Sequence, residues 1–488
     1  MASLVVGIDL GTQSVKAVVC GPDLAVAGAG RVACAPVFPR PGWAEQDPAA
    51  WLDALAPAIA AALAAAGCAP ADVAALAIAG QLDGMVAVDA AGAARGPCLI
   101  WLDRRATAEM PALDPARFLT TTGQVADASH LAAKARWWDR HHPGAAAFHQ
   151  PVSFVVEALT GARVLDPGLA STTMLYDLDA AAWSPWLCQA FALEPARLPA
   201  IAPAHHVAGA LTAVGAARTG LPAGLPVAVG TGDDFATPLG AGLAPGTLAV
   251  CVGTAEVVGA LAPSPVRDGG RLVETHAYPG GGWFVEHPGW LSGGAVTWLG
   301  GLLGLDGEGV DAAAAAAPAG ADGVGFLPAL GGAMTPAWNP AVHGAFIGLT
   351  PGHGAPQLCR AVYEACAYAM RDVADRLAAL GVPVTRARVL GGGAHARAWC
   401  RVRADVLGLP VERVAGADTC PIGAAVLAAV AAGWFADVAT AAAALPVPVE
   451  VIDPDPDPAV AAVHARGHAR YRALYEALAG LAARPGLS

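Results

Sequence analysis

The sequence predicts an α/β protein of two similar halves, on three observations. Short apolar runs alternate with helical stretches as far as about Gly242, the pattern of a sheet with helices packed on it. Beyond Leu243-Ala244-Pro245-Gly246 the scheme restarts, with a new apolar run and a small-residue turn at Gly253-Thr254. In the first half two of the apolar runs, 4–8 and 225–229, end in Asp9 and, after Gly230-Thr231-Gly232, in Asp233, each set among glycine and threonine.

Taken in order, residues 4–8 and 15–20 read as strands joined by the loop 9–14, and Gly21-Pro22-Asp23 turns the chain into a third extended run. An Ala-rich helix is expected over 48–66, followed by strands at 73–78 and 85–88 flanking Gly80-Gln81-Leu82-Asp83-Gly84. In the second half 248–252 reads as a strand, and Leu358, Val362, Cys366, Ala369, Val373 and Leu377 mark one apolar helix face. A strand at 387–390 then runs into Gly391-Gly392-Gly393-Ala394, and a further helix is expected over 397–407. The Ala/Gly/Pro tract 311–322 suggests a frayed helix and loop, and 453–458, an Asp-Pro repeat, an extended spacer. Val460, Val463, Tyr471, Leu474, Leu478 and Leu481 suggest an amphipathic closing helix.

With 488 residues, 55% of them hydrophobic and 14% charged, there is apolar material for more than one core. A net charge of −12 with no run of Lys or Arg argues against nucleic acid as a partner. The apolar start of the chain lacks a basic flank and is cut at Asp9, and the window around 58–79 is interrupted by Pro70 and Asp72, so neither a signal peptide nor a membrane span is expected. Ten cysteines without Cys-x-x-Cys spacing fit buried thiols in a reducing cytoplasm.

Two places carry chemistry. The loop Asp9-Leu10-Gly11-Thr12-Gln13-Ser14 offers free backbone N–H groups, the side chains of Thr12, Gln13 and Ser14, and a carboxylate able to hold a magnesium ion through water, a combination suited to phosphate. Strand alternation past the turn leaves the direction of Lys16 open. Gly232-Asp233-Asp234 offers paired carboxylates, and either could instead cap the helix that begins near Phe235. Trp43, Trp101, Trp137 and Trp183 are assigned to packing, and His141 and His142 to a solvated helix end.

These residues belong to a longer ordered series: Asp9-Leu10-Gly11-Thr12-Gln13-Ser14, Gly42-Trp43-Ala44-Glu45-Gln46-Asp47-Pro48, Gly80-Gln81, Trp101-Leu102-Asp103-Arg104-Arg105, Thr160-Gly161, Gly232-Asp233, Gly253-Thr254, the run from Gly344 to Thr350 and Gly391-Gly392-Gly393-Ala394. The series resembles the FGGY carbohydrate kinases, nearest their xylulokinase branch, and covers the chain from Asp9 to about Gly433. The resemblance implies two actin-like (ribonuclease H-like) domains, 1–242 and 243–488, around a central cleft. It also implies ATP and Mg2+ as cofactors and phosphoryl transfer to a hydroxyl of a sugar or polyol, a ketopentose such as xylulose being the first candidate. In that frame Asp233 is the catalytic base and Asp9 the metal ligand. Thr12, Gln13, Ser14, Gly253, Thr254, Gly294, Gly392, Gly393 and Ala394 line the nucleotide, while Gln81, Leu82, Asp83, Asp103 and Asp234 line the acceptor. The partner is a small molecule, with neither nucleic acid nor membrane, and a homodimer is the assembly considered.

The chain departs from the family pattern where the acceptor binds. Gly80-Gln81-Leu82-Asp83-Gly84, Trp101-Leu102-Asp103 and Gly232-Asp233-Asp234 stand where xylulokinases typically read Gly-Gln-Met-His-Gly, Trp-Asn-Asp and Gly-Asp-Asn. The added carboxylates suit vicinal hydroxyls and repel an acidic acceptor, so a neutral ketose or polyol is expected; Asp83 as a mere turn residue is the alternative. On the nucleotide side Ala255 and Ala396 replace residues of the usual pattern, and Gly391 and Gly393 could serve only a turn. A non-catalytic actin-like nucleotide-binding module and a degenerate kinase acting as a sugar sensor are the other readings. Retention of Asp233 argues against the second, and the acceptor-side motifs against the first.

Overall fold

The computed structural model describes residues 3–484 apart from 415 and 417. Its first half holds a seven-stranded sheet made of β1 (Leu4–Leu10), β2 (Ser14–Cys20), β3 (Val26–Ala33), β4 (Val73–Gly80), β5 (Val207–Ala210), β6 (Pro226–Ala228) and β7 (Thr231–Gly232). The chain makes an antiparallel meander β1-β2-β3, and β4 then lies parallel to β1 on its other side, with β6 and β7 parallel to β4. The helix Pro48–Ala66, capped by Asp47, buries Trp51, Leu55, Ile59 and Leu63. Gly28 and Gly30 let it lie close on β3: a Cβ on either would come within 2.2 Å of a carbonyl oxygen of that helix. By length and composition this helix could cross a membrane, but its apolar face is used in the core.

The second half repeats the plan. β8 (Thr247–Val252) and β9 (Ala255–Ala262) form an antiparallel hairpin that continues into β11 (Trp283–Leu291) and β10 (Glu274–Ala277). β12 (Arg386–Gly391) runs parallel to β8, β13 (Val411–Arg413) parallel to β12, and β14 (Glu450–Ile452) closes the edge. The helix expected from the 3.6-residue apolar face spans Ala355–Ala379, and the one after the glycine run spans Arg397–Leu407. The tract read as a frayed helix and loop contains an ordered helix, Gly307–Ala316, capped by Asp306 and buried at Val310 and Ala314. Its composition concealed the anchor: Asp311 accepts from Tyr363 Oη at 3.2 Å and from the first N–H groups of the helix Arg397–Leu407. The closing helix is Pro458–Ala482, but its buried residues are His464, His468 and Tyr471, while Leu481 is exposed.

The halves are joined by two crossed helices, Asp233–Gly240 and Thr419–Ala431. Glycines make the crossing: a Cβ on Gly240 would lie 1.9 Å from Thr419 O, and one on Gly423 2.0 Å from Ala236 O. Thr419–Ala431 also lies on β1, where a Cβ on Gly7 would meet Pro421 O at 2.0 Å. Gly240→Ala therefore forces the helices apart and is expected to destabilise the protein by about 1–3 kcal/mol. Urea denaturation checks this, and an unchanged midpoint would contradict so tight a crossing.

Candidate active site

Register brings the two aspartates together. Asp9 and Leu10 of β1 pair with Ala79 and Gly80 of β4, and Thr231 and Gly232 of β7 pair with the same two residues from the other side. Asp9 and Thr231 thus sit level across a single intervening strand, roughly 10 Å apart, and Asp233 follows at the same edge of the sheet. This is the carboxyl end of the parallel strands, where α/β sheets place ligands. The cap alternative does not hold: the helix Asp233–Gly240 begins with Gly232 at its N-cap and no side-chain cap bond, so both aspartates lie in its first turn.

Asp9 is 4% exposed and its Oδ1 has no hydrogen-bond partner. Lys16, whose direction was open, faces it at 3.2 Å and also reaches Asp418 of the second half at 2.7 Å. Burial nevertheless raises the Asp9 pKa, against the lowering influence of Lys16. The turn that follows is closed by Gly11 N–H donating to Ser14 O at 3.0 Å. Gln13 is exposed, Ser14 is buried, and Thr12 Oγ1 accepts from Trp101 Nε1 at 3.1 Å. A residue with no expected role supports this loop from below: buried Gln46 donates to Thr12 O and Cys34 O, both at 2.9 Å, and its Oε1 accepts from Gln81 Nε2 at 2.5 Å. The signal was present in Trp43-Ala44-Glu45-Gln46-Asp47, whose polar residues precede a helix.

Asp233 and Asp234 are half-buried and differ in their neighbours. Desolvation raises the Asp233 pKa well above the ordinary value, with further contributions from Asp234 and Asp9. Asp234 is pushed up to about 6, first by burial and then by Asp83. Asp233 thus lies within electrostatic reach of Asp9, and Asp234 within reach of Asp83. A base that must be ionised to work gains activity as pH rises through its pKa. With Asp233 in the role of base that the family resemblance implies, the acid limb of kcat/KM is expected well above the usual aspartate value of 3.8. A profile still flat below pH 5 would contradict this.

The loop after β4 holds Gln81, buried with Oε1 unpartnered, and Leu82, whose side chain lies over the Gly232 turn. Asp83 is in the left-handed region at φ 61 and is buried against His130, Nδ1 to Oδ1 3.0 Å. It is both a turn residue and a charged group: the Asp83 carboxylate and its hydrogen bond hold the His130 pKa up at about 9, against burial. Lys134 steadies the loop by donating to Asp83 O at 2.9 Å and Ile100 O at 2.7 Å. Asp103 is placed differently from the expectation that it lines the pocket. It is fully buried, and its carboxylate accepts from Ala44 N at 2.7 Å and from the Arg105 guanidinium at 2.7 and 2.9 Å. Arg105 in turn lies 3.5 Å from the centre of the Trp43 ring, and Trp43 packs edge-on against Trp137, so these aromatic side chains support the loop as core.

From the second half, Gly253 and Thr254 form the exposed hairpin turn between β8 and β9. Gly294 N–H donates to Thr254 O at 2.9 Å, which seats the start of the helix Gly293–Leu303 on that turn. Val252 pairs with Gly391, so the run Gly391-Gly392-Gly393 lies beside it. Gly391 adopts φ 75, and a Cβ on Gly393 would be 2.5 Å from Val252 Cγ1, so these two glycines serve the turn and its packing on the strand. Gly392 is exposed, whereas Ala394 is fully buried in the core of the second half. Behind this face Glu256, which accepts from Ser292 Oγ, is paired with buried Arg403 at 2.7 Å.

Fold and site together define a phosphotransferase of the actin-like type. Residues 4–240 match the N-terminal domain of the FGGY family of carbohydrate kinases, and residues 248–432 match its C-terminal domain. The chain belongs to the FGGY family of carbohydrate kinases. It is 34% identical over 458 residues to a glycerol kinase from Gloeobacter violaceus, covering 90% of each chain. It is 32% identical over 442 residues to the xylulose kinase of Escherichia coli, covering 88% of this chain and 90% of that one. The crystal structure of xylulose kinase from Rhodospirillum rubrum superposes with a TM-score of 0.88 at 32% identity, over 99% of this chain and 100% of the other.

Proposed function

We propose that the protein transfers the γ-phosphoryl group of ATP to a hydroxyl of a neutral ketose or polyol, with a ketopentose such as xylulose as the first acceptor to test. The observation that carries this reading is the convergence of Asp9 and Asp233 at the carboxyl end of the first sheet, on either side of β4. Domains 1–242 and 243–488 would bind acceptor and nucleotide respectively. The unpaired thiols fit a cytoplasmic setting.

Among the described residues no group of three or more His, Cys, Asp or Glu side chains forms a metal cage. The free Oδ1 of Asp9 suits Mg2+, which keeps several waters and takes phosphate oxygens alongside one or two carboxylates. Bound there with the triphosphate, Mg2+ would neutralise charge on the phosphate oxygens. The chain's own residues do the rest. Lys16, Thr12 and the backbone N–H groups of the Asp9–Ser14 loop face the phosphates, and Gly253, Thr254 and Gly392 present backbone to the nucleotide. Asp233, ionised, accepts the proton of the attacking hydroxyl. Gln81 Oε1, Asp83 and Asp234 accept from other hydroxyls and orient the acceptor, most of the catalytic gain coming from this positioning.

Glycerol is the second acceptor, favoured by the similarity to glycerol kinases at up to 34% identity. Coupled ADP release across ketopentoses, glycerol and sugar alcohols tests the proposal. A rate that depends on one of these supports it. ADP release indifferent to all of them, or fastest with gluconate, would sink it.

A further inference from the structure

Strands β10 and β11 belong to the second sheet yet lie against the first half. Thr275 N–H donates to Gly123 O at 3.1 Å, and Ala277 N–H to Ser171 Oγ at 3.2 Å. Glu274 Oε1 accepts from Val125 N–H at 2.8 Å. These bonds set the His276 ring 5.7 Å from that of Phe235, the residue that follows the Asp233-Asp234 pair.

On β11, Glu286 stands opposite Glu274 in the strand register. Its side chain is almost completely buried, at 4% exposure. Oε1 lies 3.6 Å from His276 Nε2, and burial holds that imidazole at a pKa of about 4, so it brings no positive charge at neutral pH. Oε2 has no partner at all. After burial itself, the charges acting most strongly on Glu286 are Asp234, Glu274, Asp83 and Asp233, three of which, all but its strand neighbour Glu274, are already placed in the site. A buried carboxyl oxygen without a partner costs about 1–3 kcal/mol, and this one sits on the strand whose Phe284 ring, with His276 of β10, packs against Phe235 beside the aspartate pair.

We propose that Glu286 is a specificity-determining residue of the acceptor pocket, its free Oε2 forming a hydrogen bond with an acceptor hydroxyl other than the one phosphorylated. The inference rests on the kinase reading above and deepens it: the acceptor is recognised by both halves, Asp83 and Asp234 from one and Glu286 from the other. A hydroxyl can donate to a carboxylate or accept from a carboxylic acid, so the contact serves either protonation state.

The test uses the best acceptor from the panel and its mono-deoxy analogues. With Glu286→Ala, KM for the acceptor is expected to rise about 10- to 100-fold, while the affinity for ATP, measured by calorimetry, holds. One deoxy analogue, poor for the wild type, should be used by Glu286→Ala about as well as its parent. Glu286→Gln, which keeps the shape and a hydrogen-bonding group, should recover part of the lost KM. Unchanged acceptor KM in Glu286→Ala, or the same penalty for every deoxy analogue as in the wild type, would overturn the assignment. A wild-type enzyme that phosphorylates no acceptor would instead overturn the kinase reading beneath it, and the assignment with it.

Discussion

Asp233→Asn is expected to lower kcat by about 10²–10⁴-fold while leaving ATP binding intact, the range that a positioned general base supplies. The replacement keeps the size of the side chain and its place in the first turn of the helix Asp233–Gly240, so the crossing with Thr419–Ala431 is undisturbed. What it removes is the carboxylate in the first turn of that helix that feels the charge of Asp9, Asp418 being tied up by Lys16, and the attacking hydroxyl loses its proton acceptor. The neighbouring Asp234 is a poor substitute because its main electrostatic partner is Asp83, on the acceptor side. Steady-state kinetics with calorimetry of ATP binding checks the prediction. A variant with near wild-type turnover would move proton transfer to another group.

Asp9→Asn is expected to be almost as damaging for a different reason. The free Oδ1 becomes an amide or a neutral oxygen, and Lys16 keeps only Asp418 as a charged partner. Loss of a carboxylate that orients the metal–phosphate group is worth several kcal/mol, or roughly 10²–10³-fold in rate. The loss should appear with a higher Mg2+ requirement, whereas Asp233→Asn should leave that requirement alone. Magnesium titrations of both variants separate the roles, and identical magnesium dependence in the two would contradict the division of labour.

Much of this was legible because local signals and the global fold agree. Asp47-Pro48 announces the start of a helix, the apolar runs 4–8 and 248–252 announce central strands, and the observed elements extend those runs by a residue or two. The repeat of the scheme after Gly246 foretold two similar halves, and each holds a seven-stranded sheet. Pairwise geometry was not legible. The sequence around Asp103 cannot reveal that Arg105, two residues on, occupies its carboxylate, or that Ala394 faces the core. Lys16 follows a turn whose register decides which face it takes, and only its pairing with Asp9 on one side and Arg31 on the other fixes it. Glu274, His276 and Glu286 carry no motif at all: they approach the site through tertiary contacts between β10 and the loop after Gly123. β10 and β11 are buried along almost their whole length, and an isolated Glu or His within such a run carries no local mark of function.

The central claim is that the phosphoryl group leaves ATP for an alcohol oxygen bound between Asp9 and Asp233, and ³¹P NMR of a single reaction mixture tests it most directly. With the wild-type protein, MgATP and the preferred ketose or polyol, a phosphomonoester signal should grow in step with ADP and with no inorganic phosphate. Inorganic phosphate released in step with ADP, at the same rate with and without the acceptor, would contradict the account.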